Sequence, residues 1–292
     1  MVMNQPSAAG VDRLWPLCLD IVRRRRDGAS PLEDEAAPMA WNSEEGFALG
    51  DGWGPEAAEL FALLKPVLDR PRNGAPWVIG QLGQSLDGCI GTRGGDSNNV
   101  NGQQVLLHLH RLRALCDAII VGAGTAAIDN PQLTTRRVAG EHPVRVVLDP
   151  TLRLAPTLRV FSDRQAPTLL VCDALRSAEA ADRVGADQVL GVPGLLDANG
   201  TPDLHVLLRA LHRRRLHVLF VEGGGVTVSR FIAQGCMDRL HLSVAPVIIG
   251  GGRPGLQLPP SAAMRDCMRP ASRAFRMGAD VLWDLDLRDA AP

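Results

Sequence analysis

The chain has 292 residues, of which 46% are hydrophobic, with 31 basic and 32 acidic side chains and a net charge of -1. That length makes one large domain or two small ones and can fill a sizeable core, while the balanced charge excludes a global field for holding nucleic acid or a membrane surface. No apolar run approaches the roughly 18 residues of a membrane span, and Met1-Val2-Met3-Asn4-Gln5-Pro6 lacks the basic start and apolar core of a secretory signal, so a cytoplasmic protein is expected.

Residues 1–75 read as helical segments, Leu14 to Arg26 and Pro55 to Asp69, alternating with proline- and glycine-rich connections. They form a helical extension with no assigned role. Its run Arg23-Arg24-Arg25-Arg26 reads as a solvated helix face. From Pro76 the pattern changes to short apolar strands between helices: Trp77 to Leu82, Ala118 to Val121, Val144 to Leu148, Thr168 to Cys172, Gln188 to Val192, Val218 to Val221, Leu240 to Val244 and Val281 to Leu285. Most are continuous apolar runs, as expected of parallel strands buried on both faces and crossed over by helices. Asn101 followed by Gln104 has the spacing of a capping box, opening a helix through Cys116. Asp203 to Arg215 is a second helix, with Pro202 near its start and basic residues in its last turn. After Cys236 the strands leave no room for a full helix, so the last ones are expected to run antiparallel. The fold class is α/β, a mostly parallel sheet with flanking helices over residues 76–287 and a tail over 288–292.

Chemistry concentrates at the strand ends. The stretch from His217 to Thr227 is an apolar strand that stops at Glu222 and three glycines and restarts at helical spacing. Glycines there admit φ > 0 and close approach of a ligand, and the free N–H groups of the helix's first turn face an anion. The same turn also serves plain packing, so it is weighed with its neighbours. Gln81 to Gly88 and Val121 to Pro131, with Leu133-Thr134-Thr135-Arg136 behind, are two further loops expected to converge with it on one crevice beyond the carboxyl ends of the strands. Cys18, Cys89, Cys116, Cys172, Cys236 and Cys267 are scattered with no C-x-x-C pair, and His108 and His110 are too close in sequence to share a helix face, so no metal site is expected. No serine sits in a G-x-S-x-G elbow.

Taken together, Ser85-Leu86-Asp87-Gly88, His110 to Ala114, Val121 to Thr125, Asp129 to Thr134, Arg145 to Asp149, Val221 to Gly224 and Ala245 to Pro254 occur in an order and spacing that resemble the reductase domain of the bacterial riboflavin-biosynthesis deaminase/reductase. The resemblance covers about residues 76–287. It implies a dihydrofolate-reductase-like fold, NADPH as hydride donor, a homodimer, and reduction of a phosphorylated ribosylaminopyrimidine to its ribitylamino form. The family's zinc-deaminase motif, His-x-Glu with Pro-Cys-x-x-Cys, has no counterpart in residues 1–75, so a reductase alone is expected.

The resemblance also implies site residues. Gly83, Asn99, Thr125, Asp129, Gly224, Gly225, Val226, Thr227 and Ser229 fall at cofactor positions, with Thr151 or Arg153 reading the 2′-phosphate. Ser97, Arg113, Leu133 and Arg136 fall at substrate positions, the two arginines as a bidentate phosphate clamp. Glu222 and Gln81 are the catalytic pair. Gln81 stands where the family usually has lysine, and Asn99 where it has tryptophan, so the pocket is altered. Two other readings stay open on the same fold: a pterin or dihydrofolate reductase, and an NADPH-binding protein without turnover.

Overall fold

The computed structural model describes residues 10–29, 38–71, 74–97 and 100–288. It separates into two compact units, Met1–Gly74 and Ala75–Pro292.

In the first unit, α1 (Val11–Asp27) ends on Gly28, whose φ of 75° is a left-handed C-cap. A hairpin follows, β1 (Met39–Asn42) and β2 (Gly46–Leu49), where the sequence predicts only connections. Four-residue strands are too short for alternation to show. The turn is set by Asn42, whose side-chain oxygen accepts the Glu44 N–H at 2.7 Å, and by Gly46 at φ 79°. Helix α2 (Pro55–Leu68) begins with proline and buries Leu60, Phe61, Leu64, Val67 and Leu68, the predicted three-to-four spacing. The arginine run of α1 is not one solvated face. Arg24 pairs with Asp20 at 2.9 Å, while Arg25 is buried and donates to the Val67 carbonyl at 2.9 Å.

The second unit contains, in order, β3 (Trp77–Ser85), β4 (Cys89–Gly91), α3 (Gln103–Leu115), β5 (Ala118–Gly122), α4 (Ala123–Asp129), β6 (Val144–Leu148), α5 (Arg159–Ser162), β7 (Thr168–Asp173), α6 (Ser177–Val184), β8 (Val189–Val192), α7 (Leu204–Arg213), β9 (Val218–Glu222), α8 (Gly225–Ala233), β10 (Arg239–Ala245), β11 (Arg253–Pro254), β12 (Ala271–Met277) and β13 (Asp280–Asp286). Nine strands form one sheet, ordered β12-β13-β10-β3-β9-β5-β6-β7-β8. All pairs from β10 to β8 are parallel, and β13 and β12 close the sheet antiparallel. Strand β12, Ala-Ser-Arg-Ala-Phe-Arg-Met, was not predicted: it is an edge strand, mostly exposed, and only Phe275 and Met277 are buried. The short pair β4 and β11 also escaped the sequence reading.

Alternation on the strands assigns the two faces. Leu219 and Val221 pack with Leu204, Leu207, Leu211, Val228 and Phe231 of α7 and α8 in the main core. Val218, Phe220 and Glu222 therefore point to the opposite face. Helix α7 starts as predicted, with Asp203 accepting the Val206 N–H at 3.1 Å. Helix α3 does not: its N-cap is Gly102, and the predicted Asn101 and Gln104 box is absent. Asp280 of β13 replaces it, accepting the Gly102 N–H at 2.7 Å and the Asn101 amide at 3.4 Å. A carboxylate 178 residues away meets the helix's positive end better than a neutral local side chain.

Register then builds a polar row across the face opposite α7 and α8. Glu222 on β9 stands opposite Gln81 on β3, Gln81 opposite His241 on β10, His241 opposite Asp284 on β13, and Asp284 opposite Arg273 on β12. Helix α3 touches this rung twice. His108 bonds His241 at 2.8 Å, and Arg113 bonds Glu222.

Candidate active site

A cavity of about 790 Å³ opens over the carboxyl ends of β3, β9, β5 and β6. This is the crevice that α/β topology predicts. Its central wall is the turn after β9. Gly223 takes φ 115°, a conformation reserved largely for glycine. Of the glycines expected to admit φ > 0 there, Gly224 does not use that freedom, with φ -41° and ψ 143°. Gly224 donates its N–H to the Thr125 hydroxyl at 3.0 Å, so α4 and the turn are tied together. A Cβ on Gly225 would collide with the Gly255 carbonyl, and one on Gly122 with the Thr227 hydroxyl. These glycines let three chain segments close around the N-terminus of α8, where the first-turn N–H groups lack intrahelical acceptors. Gly83 serves similarly, making room for the Asn101 side chain at the cavity wall.

The structure brings Gln81, Gly83, Ser97, Thr125, Asp129, Thr151, Arg153, Glu222, Gly224, Gly225, Val226 and Thr227 to this cavity, together with Asn101, Arg230 and Arg253, which the sequence does not assign to the site. Arg230 follows Val226 by four residues on α8, so helical spacing was a usable signal. Asn99 lies outside the described residues. Of the three loops expected to converge, that of Gln81 to Gly88 does so only at its start, through Gln81, Leu82 and Gly83. Ser85-Leu86-Asp87-Gly88 is off the cavity and anchors another loop, with Asp87 accepting the N–H groups of Ile249 and Gly250 at 3.1 and 2.8 Å. The hydrogen bond from the Ser85 hydroxyl and those two N–H groups pull the Asp87 carboxyl down to about 2.

The two arginines of the expected phosphate clamp meet at Thr134, behind the cavity-lining Glu222. Arg113 is buried and absent from the cavity lining. Its Nε and Nη2 grip Glu222 at 2.9 and 2.6 Å, and its Nη1 donates to the Thr134 carbonyl at 2.9 Å. The bidentate geometry expected for a phosphate is there, with an internal carboxylate as the partner. Arg136 is also outside the lining, its Nη1 on the Thr134 hydroxyl at 2.7 Å and its backbone N–H on His110 Nδ1 at 2.9 Å. Burial, with Arg113 and Arg136 nearby, pushes His110 down to about 3 and leaves it a neutral acceptor. Leu133 is 1% exposed at φ 55°, packed into the core where its neighbour Thr134 can meet Arg113. Ser229 is buried too, its hydroxyl accepting the Gln257 N–H at 2.7 Å.

The remaining charges are uneven. Burial raises the Asp129 carboxyl above the ordinary aspartate value, against the pull of Arg253 and with a further push from Glu222. Gln81 is 4% exposed and donates to the Ser243 hydroxyl at 3.3 Å. Arg153 stands 3.6 Å from Asp149 and is 69% exposed. Among the described residues no group of three or more His, Cys, Asp or Glu is placed to hold a metal ion, and no helix is long and apolar enough to cross a membrane.

Residues 76–269 match the family described as RibD C-terminal domain. The chain is 33% identical over 213 residues to the 2,5-diamino-6-ribosylamino-4(3H)-pyrimidinone 5′-phosphate reductase of Methanothermobacter thermautotrophicus, covering 71% of this chain and 96% of that protein. It is 35% identical over 190 residues to the riboflavin biosynthesis protein RibD of Bacillus amyloliquefaciens, covering 65% of this chain and 50% of that one. It thus spans about half the length of that relative. Among solved structures, Acinetobacter baumannii RibD superposes with a TM-score of 0.62 at 22% identity, covering 79% of this chain and 62% of that one, which shows a shared fold. The mostly parallel α/β architecture expected from the sequence stands.

Proposed function

This chain belongs to the family of RibD C-terminal domains, and on that ground we propose that it is an NADPH-dependent reductase of a phosphorylated ribosylaminopyrimidine. The observation that supports this most directly is the cavity's lining. A glycine turn and helix N-terminus, suited to a pyrophosphate, adjoin Glu222, a carboxylate held in fixed orientation by Arg113. The fit is physical: at Gly223 a Cβ would press within 2.9 Å of Thr125, so the cradle is one that a side chain would fill.

Bound NADPH would supply a hydride to the sugar carbon of the ring-opened C=N of the substrate. The protein's own residues do the rest. Gly225 and Val226 hold the pyrophosphate with backbone N–H groups, and Thr125, which accepts the Gly224 N–H, fixes the turn that presents them. Thr151 and Arg153, at the β6 end, face the 2′-phosphate that distinguishes NADPH from NADH. Glu222 and Gln81 orient the pyrimidine and its nitrogen, which takes up one proton, drawn ultimately from solvent, as the carbon accepts the hydride, so that C=N becomes CH–NH. Catalysis rests on positioning and exclusion of water more than on a strong acid. A cytoplasmic homodimer is part of the same proposal, supported by the family resemblance, and light scattering of the purified chain tests the dimer.

The deciding assay follows NADPH oxidation with a ribosylaminopyrimidine 5′-phosphate and with dihydrofolate in parallel. Turnover of the first is expected. Reduction of dihydrofolate alone, or of neither, rejects the proposal.

A further inference from the structure

We propose that His110 of α3 is a positioning residue for the phosphate of the substrate: it holds the backbone of Arg136 so that this guanidinium stays open to an anion. The proposal rests on reading the protein as a reductase of a phosphorylated ribosylaminopyrimidine. It names the group that keeps the anion's partner in place.

Positive charge is in excess around Arg136. Burial, with the charges of Arg113 and then of Arg137 and Arg159, lowers its guanidinium from the ordinary arginine value, and Glu222 opposes them. That carboxylate is already gripped at both oxygens by Arg113. Among the described residues the Arg136 guanidinium bonds only neutral oxygens, its Nη1 donating to the Thr134 hydroxyl at 2.7 Å and to the Thr134 carbonyl at 3.5 Å. Arg113 donates to the same carbonyl at 2.9 Å, so Arg136 stands next behind the pair that reaches the cavity wall. A guanidinium among like charges, with no carboxylate of its own, is suited to charge-assisted bonds with a phosphate.

Side chains hold the backbone at this point. Residues 130–136 form neither helix nor strand, so their N–H groups find no ladder partner. Two histidines serve instead. The Thr135 N–H donates to His142 Nδ1 at 3.2 Å, and the Arg136 N–H to His110 Nδ1 at 2.9 Å. His110 is 5% exposed and precedes Arg113 by three residues on α3, so one helix face reaches the backbone of Arg136 and, through Arg113, the Thr134 carbonyl beside it.

The charge explains why the anchor is a histidine. A backbone N–H only donates, so Nδ1 is unprotonated and the proton of the neutral ring lies on Nε2. Burial, with Arg113, Arg136 and Arg137 nearby, pushes this imidazole down to about 3, and the ring stays neutral at physiological pH. A carboxylate would also accept the N–H, but its charge would draw an arginine away from the ligand. A lysine or arginine could not accept at all. A neutral acceptor fixes the backbone and leaves the guanidinium's charge uncompensated.

The test uses the full chain with His110→Leu, His110→Asn, His110→Gln and His110→Asp. Leucine removes the acceptor, asparagine puts an oxygen near the Nδ1 position, glutamine puts one near Nε2, and aspartate gives the acceptor a charge. KM and kcat are measured for the ribosylaminopyrimidine with and without its 5′-phosphate, and calorimetry follows ribose 5-phosphate and NADPH binding. His110→Leu should raise KM for the phosphorylated substrate about tenfold or more, while KM for the dephosphorylated one, kcat and NADPH affinity hold within about twofold. His110→Asn should recover most of that loss and His110→Gln little of it. His110→Asp should weaken ribose 5-phosphate at least as much as leucine does, although it keeps an acceptor. Should His110→Leu fail to fold, the contrast between asparagine and glutamine decides by the same measures. An equal rise in both KM values, or an asparagine variant no better than the leucine or glutamine one, would make His110 a packing residue and overturn the proposal. If these variants keep the preference for the phosphorylated substrate while the parent reduces it, the proposal falls and the reductase reading stands. If the parent reduces no ribosylaminopyrimidine, yet binds ribose 5-phosphate in a way that leucine loses and asparagine keeps, the positioning role stands and the reductase reading falls.

Discussion

At one end of the polar rung Glu222 meets Arg113 beside a cavity, and at the other Asp284 meets Arg239, His241 and Arg273 inside the sheet's antiparallel margin. Both are carboxylate–arginine pairs on the same face, under the same helix. They differ in access: the Glu222 side chain is 16% exposed and the Asp284 side chain not at all. A sealed pair has no ligand to serve and bears on folding, where removal of one partner leaves a buried group uncompensated. The open pair gives up part of that contribution and gains a carboxylate that a ligand can reach. Charge pairing alone does not mark a functional site. Pairing at a cavity wall does.

The sharpest separation should come from Asp284→Ala. It removes the main acceptor of Arg239 and the neighbour of His241 at 3.4 Å, and should destabilise the chain by about 3 to 5 kcal/mol. Urea unfolding checks this. NADPH affinity in the folded fraction should not change, and a comparable loss of affinity would erase the distinction between the two ends.

The open end should respond in the opposite sense. Arg113→Ala frees Glu222 to rotate, and kcat/KM should fall 100-fold or more, about 2.7 kcal/mol of transition-state stabilisation. Stability should fall less than for Asp284→Ala. Lysine at this position should restore only part of the rate, because a point charge cannot grip both carboxylate oxygens.

Acid should reach the sealed end first as a loss of stability. Burial lowers the His108 imidazole well below the ordinary histidine range, with His241 adding to the effect, and lowers His241 too, against the pull of Asp284. A folded-state value below the unfolded one means that the unfolded chain takes up protons first. The stabilisation is complete above about pH 6.5 and declines below it by about 1.4 kcal/mol per pH unit for each histidine. Asp284 joins at lower pH: burial raises its carboxyl, yet hydrogen bonds from His241 and Arg239 hold it below the usual range, so its contribution is lost only as pH falls beneath about 3.9. Thermal melts at pH 7, 6 and 5 should show a slope that His108→Leu and His241→Leu each reduce. An unchanged slope would remove these residues from the account.

Smaller effects belong to the cofactor side of the open end. Gly223→Ala places a Cβ at φ 115° against Thr125, and should weaken NADPH about tenfold, or about 1.4 kcal/mol. Fluorescence titration measures it. Arg153→Ala should weaken NADPH about three- to tenfold and spare NADH. The effect is small because this exposed side chain is screened by solvent. Equal losses for both nucleotides would move the 2′-phosphate elsewhere.

Much of the architecture was legible because its signals are local. The parallel strands are unbroken apolar runs, and Asp203 caps α7 from three residues away. The glycine turn with Glu222 could be read for the same reason. What escaped depends on distant partners. Strand β12 looks polar because only β13 covers it, and the hairpin β1–β2 is too short to show its alternation. The cap of α3 comes from Asp280, and Ser85-Leu86-Asp87-Gly88 holds a loop some 160 residues away rather than a ligand.

The arginines show where that boundary lies. Composition, apolar periodicity and turn residues settle strand, helix and glycine turn, since each follows from neighbours within a few positions and from the burial they demand. Which arginine faces the cavity does not follow from neighbours. Arg113 and Arg253 are equally charged in the sequence, but β9 in register with β3 brings Glu222 under α3 to meet the first, while the pairing of β11 with β4 carries the second to the cavity wall. A guanidinium's role is set by the nearest acceptor in space, and that acceptor is chosen by strand register and packing across more than 100 residues of chain.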